Sequence, residues 1–359
     1  MIEQDLDFEV GKDRAVFTEA VRGRLRTLTG EAEAPSEELV GHLLRQQRVL
    51  IIVDGLSELS EATRNKVRPM NPEFAANALL ITSRVEESLD GVMKTTLHPT
   101  RIQGNRLSSF MDAYLVQRRK RALFDDPEFF DGCNKLSVMV GDRDTTVLLA
   151  KLYAEQMIAS KERAQDKLPE NIPDLMLDYL NELNRKEPEL SDWAVHRAAK
   201  IIAWECLRQT YRPVPANIEA VLQALGGGDA AEAQIKCLEQ KLRLVQAIGA
   251  GRRQLKFALD PLSEYLAGLY LVEQYRGQQE LWREFLANAD ATHGAPDAIK
   301  GFLLAVRDCC LAHGAEVNVP GFVAGELASR AGLDPEALKY RTGVVPLWVP
   351  SPTGTGPRP

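Results

Sequence analysis

The chain has 359 residues, 45% hydrophobic and 26% charged, an ordinary balance for soluble globular protein. At ~100–200 residues per domain, that length suits two or three domains. A net charge of −7 weighs against a mainly electrostatic nucleic-acid binder. No apolar run approaches the ~20 residues of a membrane-spanning helix. The N-terminus carries Glu3, Asp5, Asp7 and Glu9, not the basic-then-apolar order of a signal peptide. Cys133, Cys206, Cys237, Cys309 and Cys310 are scattered, mostly on apolar helix faces, and are expected to be reduced core residues of a cytoplasmic protein. Adjacent residues of a helix point apart, so Cys309 and Cys310 do not read as a redox pair. The histidines His42, His98, His196, His293 and His313 lack the spacing of a metal-ligand set.

In chain order, the spacing predicts a helix over Arg14 to Leu28, with Phe17, Ala20, Val21, Leu25 and Leu28 on one face. A second helix starts at the N-cap Ser36, followed by Glu37 and Glu38, and presents Leu39, Val40, Leu43 and Leu44. Residues Arg48 to Leu59 read RVLIIVDGLSEL. The unbroken apolar run Val49 to Val53 predicts a parallel strand buried on both faces. Ligands bind just beyond the carboxyl ends of such strands, which puts Asp54 and Glu58 at the binding edge. An acid there can hold a Mg²⁺ that bridges nucleotide phosphates, although an Asp-Gly turn after a core strand would look the same. After about 25 residues, room for one helical crossover, a second run, Ala78 to Ile81, ends in the polar and cationic tip Thr82, Ser83 and Arg84. Ser60 is expected to cap a short helix between the two runs. Thr95 to Leu97 is a candidate last strand, stopped by Pro99. Strands alternating with helices indicate a parallel sheet.

From Asn105 the periodicity is helical. Leu107, Phe110, Met111, Tyr114 and Leu115 keep helix spacing and lead to the basic run Arg118-Arg119-Lys120-Arg121. Acids follow at once at Asp125, Asp126, Glu128 and Asp131, so the run reads as a solvated helix end. The cleanest amphipathic stretch is Leu168 to Leu183, with Ile172, Leu175, Met176, Tyr179, Leu180 and Leu183 on its apolar face. Trp193 to Leu207 is another helix. Helices near Asn217–Leu225 and Ala230–Lys241 then precede a strand at 242–248, a Gly249-Ala250-Gly251 turn and a returning strand from Gln254 to Leu259. Two helices followed by a hairpin is a winged-helix arrangement. Glu232 and Glu239 offset Lys236 and Lys241 on its would-be recognition helix, and only Arg252 and Arg253 on the wing favour DNA. Further helices include Ile299–Leu311 and Phe322–Ala331, without a detectable repeat period. The tail SPTGTGPRP from Ser351 has a disordered composition.

The segments DGLSEL and ITSR resemble the Walker B and sensor 1 segments of NACHT-type NTPases, of the bacterial branch, within the signal-transduction NTPases with numerous domains. VLLAKLY from Val147 is similar to the family helix near adenine, with Val147 where a proline is usual. FALDPLSEYLAGLYLVE from Phe257 is similar to the close of the family's winged-helix domain, where Glu264, Tyr265, Leu266 and Ala267 match EYLA. The resemblance spans about residues 1–278. The fold it implies is α/β followed by all-α: an incomplete parallel P-loop NTPase sheet over 1–104, a helical domain over 105–186, and a winged-helix domain over 187–278. A C-terminal helical segment over 279–345 and a tail over 346–359 complete the chain.

The resemblance also implies the site. Asp54 would orient Mg²⁺, Glu58 would polarise the attacking water, and Ser83 and Arg84 would report on the γ-phosphate of ATP. Asp260 stands where the family often places a nucleotide-contacting histidine, and Ser57 where a second acid is common. No GxxxxGK[ST] phosphate loop occurs in the sequence; GDRDTT from Gly141 and GGGDAA from Gly226 lack the GK pair. The opening residues are similar to the second strand of such a sheet, so the expectation is a longer native product with the loop upstream. ATP or ADP and Mg²⁺ are then expected only where that loop is supplied. Expected partners are further copies of the chain or a complete relative, with no membrane and no nucleic acid. The alternative is a non-catalytic scaffold or interaction module built on the same domains.

Overall fold

Two sequence devices set up the N-terminal layer, a capped amphipathic helix and a pair of short apolar strands. The computed structural model describes residues 14–333 apart from 59–63, 66, 72–73, 75, 84–85, 87, 142–144, 164–166, 187 and 249–251. The strand expected at the N-terminus, Ser60, Arg84, the Gly249-Ala250-Gly251 turn and the tail therefore lie outside the described residues. Helix α1 (Arg14–Thr29) is followed by α2 (Glu37–Arg45), whose N-cap Ser36 accepts the Leu39 N–H at 3.2 Å while Glu37 and Glu38 favour the helix N-terminus. Strands β1 (Ile51–Val53) and β2 (Leu79–Ile81) pair in parallel, with Ile51 opposite Leu79 and Val53 opposite Ile81.

The expectation of a strand buried on both faces is corrected. Ile51 and Val53 pack on Phe17, Val21, Val40, Leu44 and Phe74. Ile52 is 55% exposed and its partner across the pair, Leu80, 47%. Successive strand residues face opposite sides, and α1 and α2 line only one of them. Leu28 and Leu39, expected on inner helix faces, are also exposed. Length explains part of this, since a helix of 16 residues is about 24 Å long and a strand of 3 about 10 Å. Thr95 to Leu97 is no strand either; residues 92–101 run irregularly, and Leu97 is exposed. Among the described residues this segment pairs with no strand.

A bridge between Ile102 and Thr145, with the Ile102 N–H donating to the Thr145 carbonyl at 2.8 Å, opens the helical body. Its first helices are α3 (Gly104–Gln117), α4 (Asp126–Val140), α5 (Val147–Arg163) and α6 (Ile172–Lys186). Asp125 and Glu128 form a reciprocal capping box at the start of α4. Three members of the basic run after α3 are held in ion pairs: Arg118 to Glu155 at 2.7 Å, Lys120 to Glu162, and Arg121 to Asp112 at 2.8 Å and Asp126 at 2.7 Å. That agrees with a solvated helix end, although most of the partner acids come from α3 and α5, not from the acidic stretch that follows.

Helix α7 (Asp192–Leu207) starts at the N-cap Ser191. A short β3 (Ala216–Asn217) leads to α8 (Ile218–Leu225), capped by Asn217, and to α9 (Gly228–Lys236), which runs into a π-type turn at Cys237–Lys241. Strands β4 (Val245–Ile248) and β5 (Gln254–Phe257) pair antiparallel, and β3 takes the other edge of β5. Four helices follow, α10 (Asp260–Tyr275), α11 (Gln279–Ala291), α12 (Lys300–His313) and α13 (Phe322–Arg330). One continuous core joins everything from Ile102 to Ala331. Helix α10 is its axis, packing on α7, α12, α6 and β5. Its Glu264 lies so close to Gly301 of α12 that a Cβ there would come within 2.7 Å of Oε2, so a larger residue would have to push the carboxylate aside.

Candidate functional site

The parallel register fixes what stands at the strand tips. With Val53 opposite Ile81, the next residues to meet are Asp54 and Thr82. Thr82 then holds the whole β1 exit through four bonds. Its N–H donates to the Val53 carbonyl at 2.9 Å, and its carbonyl accepts the Leu56 N–H at 2.9 Å. Its Oγ1 accepts the Gly55 N–H at 2.8 Å and donates to Oδ1 of Asp54. Gly55 has φ +67°, the left-handed conformation that glycine adopts without a Cβ penalty, so the Asp-Gly pair can turn sharply under Thr82. Leu56 is buried in the core beneath and anchors the 3₁₀ turn Leu56–Glu58.

Asp54 and Ser83 are thus brought to one tip, both exposed. Glu58 closes the 3₁₀ turn four residues after Asp54; Arg84 lies outside the described residues. Asp260 is the first residue of α10, in the second core, and its backbone carbonyl accepts from Ser263 Oγ at 2.8 Å. The site's chemistry rests on an exposed carboxylate whose Oδ1 is oriented by the Thr82 hydroxyl, with the exposed Ser83 next along the chain. That set fits Mg²⁺ bound by one protein carboxylate plus phosphates and water, which is how this ion is usually held. It does not fit an all-protein metal cage: among the described residues no three His, Cys, Asp or Glu side chains converge.

Sequence reasoning placed Thr82 in the polar strand tip but missed its hold on Asp54 and Gly55. Its signal was the equal distance of Asp54 and Thr82 from the ends of two parallel runs, which becomes readable only once the register is known. Cysteine nucleophilicity is not on offer elsewhere. Burial pushes the thiols of Cys206 and Cys310 up to about 12 and that of Cys133 up to about 11, so all three stay protonated at neutral pH.

Residues 291–335 match the family model described as NACHT C-terminal Helical domain 4. The match supports a NACHT-family protein. It covers the end of α11 together with α12 and α13, well away in sequence from the Asp54 tip. No curated protein matches the chain.

Proposed function

We propose that this chain carries the acidic and sensor edge of a NACHT-type nucleotide switch, together with the helical, winged-helix and C-terminal helical domains that such a switch moves. The observation that supports it best is the pairing of β1 with β2, which sets Asp54, Thr82 and Ser83 at one sheet edge. The family-model match in the C-terminal helices adds independent weight. In this reading Asp54 helps hold Mg²⁺, directly or through water, and Thr82 keeps its carboxylate aimed. Glu58 accepts a proton from the attacking water, Ser83 and Arg84 sense the terminal phosphate, and Asp260 lies on the nucleotide side of the winged-helix domain. Bound Mg²⁺ would neutralise charge on the phosphates during transfer.

The 359 residues contain no GxxxxGK[ST] loop. The proposal is that this loop comes from outside them, in a longer native product or in a complete relative that assembles with this chain. Opening and oligomerisation would then follow nucleotide state, in bacterial defence or stress signalling in the cytoplasm. Five free, buried cysteines fit that compartment.

The test is Glu58→Gln in the native product, purified through a C-terminal tag at the chromosomal locus. ATP hydrolysis is expected to fall by about 10²-fold or more, with ATP affinity nearly unchanged. Equal loss of both would overturn the general-base role. The exposed Leu50, Ile52 and Leu80 favour a second reading, a non-catalytic scaffold that offers this apolar sheet face to another protein. Submicromolar, Mg²⁺-dependent ATP binding by the 359-residue chain alone would contradict the scaffold. DNA is not the proposed ligand, because Arg252 on the wing is already paired with Glu239.

A further inference from the structure

Helix α12 ends where α6 begins, and each contributes the charge that the other's end favours. His313 is the last residue of α12, where the helix dipole stabilises a cation; Asp174 lies in the first turn of α6, where it stabilises an anion. Nε2 of His313 is enclosed and lies 3.0 Å from Oδ1 of Asp174, in a bent arrangement that is an ion pair more than a straight hydrogen bond. Asn171 fixes the acid from the other side. Its Nδ2 donates to Oδ2 of Asp174 at 2.6 Å, and its Oδ1 accepts the Asp174 N–H at 2.8 Å. The imidazole therefore meets a carboxylate already set in place.

The remaining charges around His313 are also acidic or already spent. Glu316, just beyond the helix, lies 3.9 Å from Nδ1. Glu273 of α10 also acts on the ring, partly offset by its own ion pair with Lys200 of α7. On α13, Arg330 is bonded to Glu326 and Asp290. Asp297 stands before the opposite end of α12. The surroundings select the protonated ring.

We infer that His313 and Asp174 form a proton-controlled clasp, which holds the C-terminal helices against α6 and loosens as the medium turns alkaline. It goes beyond the nucleotide reading and does not depend on it. The ion pair with Asp174 raises the affinity of His313 for its proton, and His313 in turn lowers that of Asp174. The histidine contribution is therefore complete below the ordinary histidine value of ~6.5 and disappears as pH rises through the raised value. The aspartate contribution is present above the ordinary carboxylate range and is lost as pH falls through the lowered value. The clasp is closed in the window between. Because α12 belongs to the segment that matches the C-terminal helical family model and α6 to the helical bundle, the clasp would make their union sensitive to pH.

The experiment is a histidine NMR titration of the full chain, with amide exchange of Gly314 and Val319 corrected for intrinsic base catalysis. The His313 midpoint is expected above ~6.5, moving down in Asp174→Asn. The corrected opening of Gly314 and Val319 should rise roughly three- to tenfold between pH 6 and pH 8.5 in the wild type, the range of a helix-end ion pair. It should stay flat in His313→Gln. A midpoint at or below the ordinary value, or the same rise in His313→Gln, would overturn the clasp. If that variant does not fold, the wild-type midpoint alone decides.

Discussion

The N-terminal layer and the helical body solve the same burial problem at different scales. The layer has three-residue strands, one covered sheet face and a core drawn from a few side chains of α1, α2, the strands and the segment between them. The body threads one core through every helix from α3 to α13, around an α10 that is buried on nearly all sides. The difference teaches where rigidity and chemistry reside. The body is held by interlocked aromatic and aliphatic packing. The layer keeps a polar tip in shape mainly through the four bonds made by Thr82.

Substitutions can break that comparison in a definite order. Trp282 is fully buried, stands edge-on to Tyr275 and Phe285, and donates Nε1–H to the Arg276 carbonyl at 2.8 Å. Trp282→Ala should cost about 3–5 kcal/mol in urea unfolding of the body. Amide exchange in α2 should barely change if the two cores are independent. Tyr265→Phe removes the buried 2.8 Å hydrogen bond to Asp308, a carboxylate also touched by Arg307 at 3.1 Å. A loss of about 1.5–3 kcal/mol is expected, because a buried charged acceptor is stripped of one donor.

In the layer, Thr82→Val deletes both Oγ1 bonds and keeps the shape. Unfolding of the layer should ease by about 1–2 kcal/mol, with Thr82→Ser restoring most of it. The smallest effect belongs to Ile52→Thr, expected within about 0.5 kcal/mol because Ile52 is exposed. A loss several times larger would mean that the outer sheet face is covered in solution and that the contrast between the regions is overstated.

Much of this was legible in the sequence because local rules fixed it. Ser36 caps the helix it was expected to start, Asn217 stands at the start of another expected helix, and the amphipathic run Leu168 to Leu183 overlaps most of the helix Ile172–Lys186. The two apolar runs found each other as parallel neighbours, and the acid fell at the expected edge. What was not legible depended on partners distant in sequence. An apolar run such as Val49 to Val53 does not say how many faces will be covered, and here Ile52 is left exposed. Thr95 to Leu97 was a candidate strand but pairs with none among the described residues. The meeting of Asp54 with Thr82, and of His313 with Asp174, follows from register and helix packing that no local pattern encodes.

The most direct test of the central claim is Mg²⁺-dependent ATP binding by the natively expressed, C-terminally tagged protein, measured for wild type and Asp54→Asn. The account predicts micromolar or tighter binding that requires Mg²⁺ and weakens at least about tenfold in Asp54→Asn, as expected when a metal-holding carboxylate is lost. Binding that is absent, or that ignores both Mg²⁺ and Asp54, would contradict it.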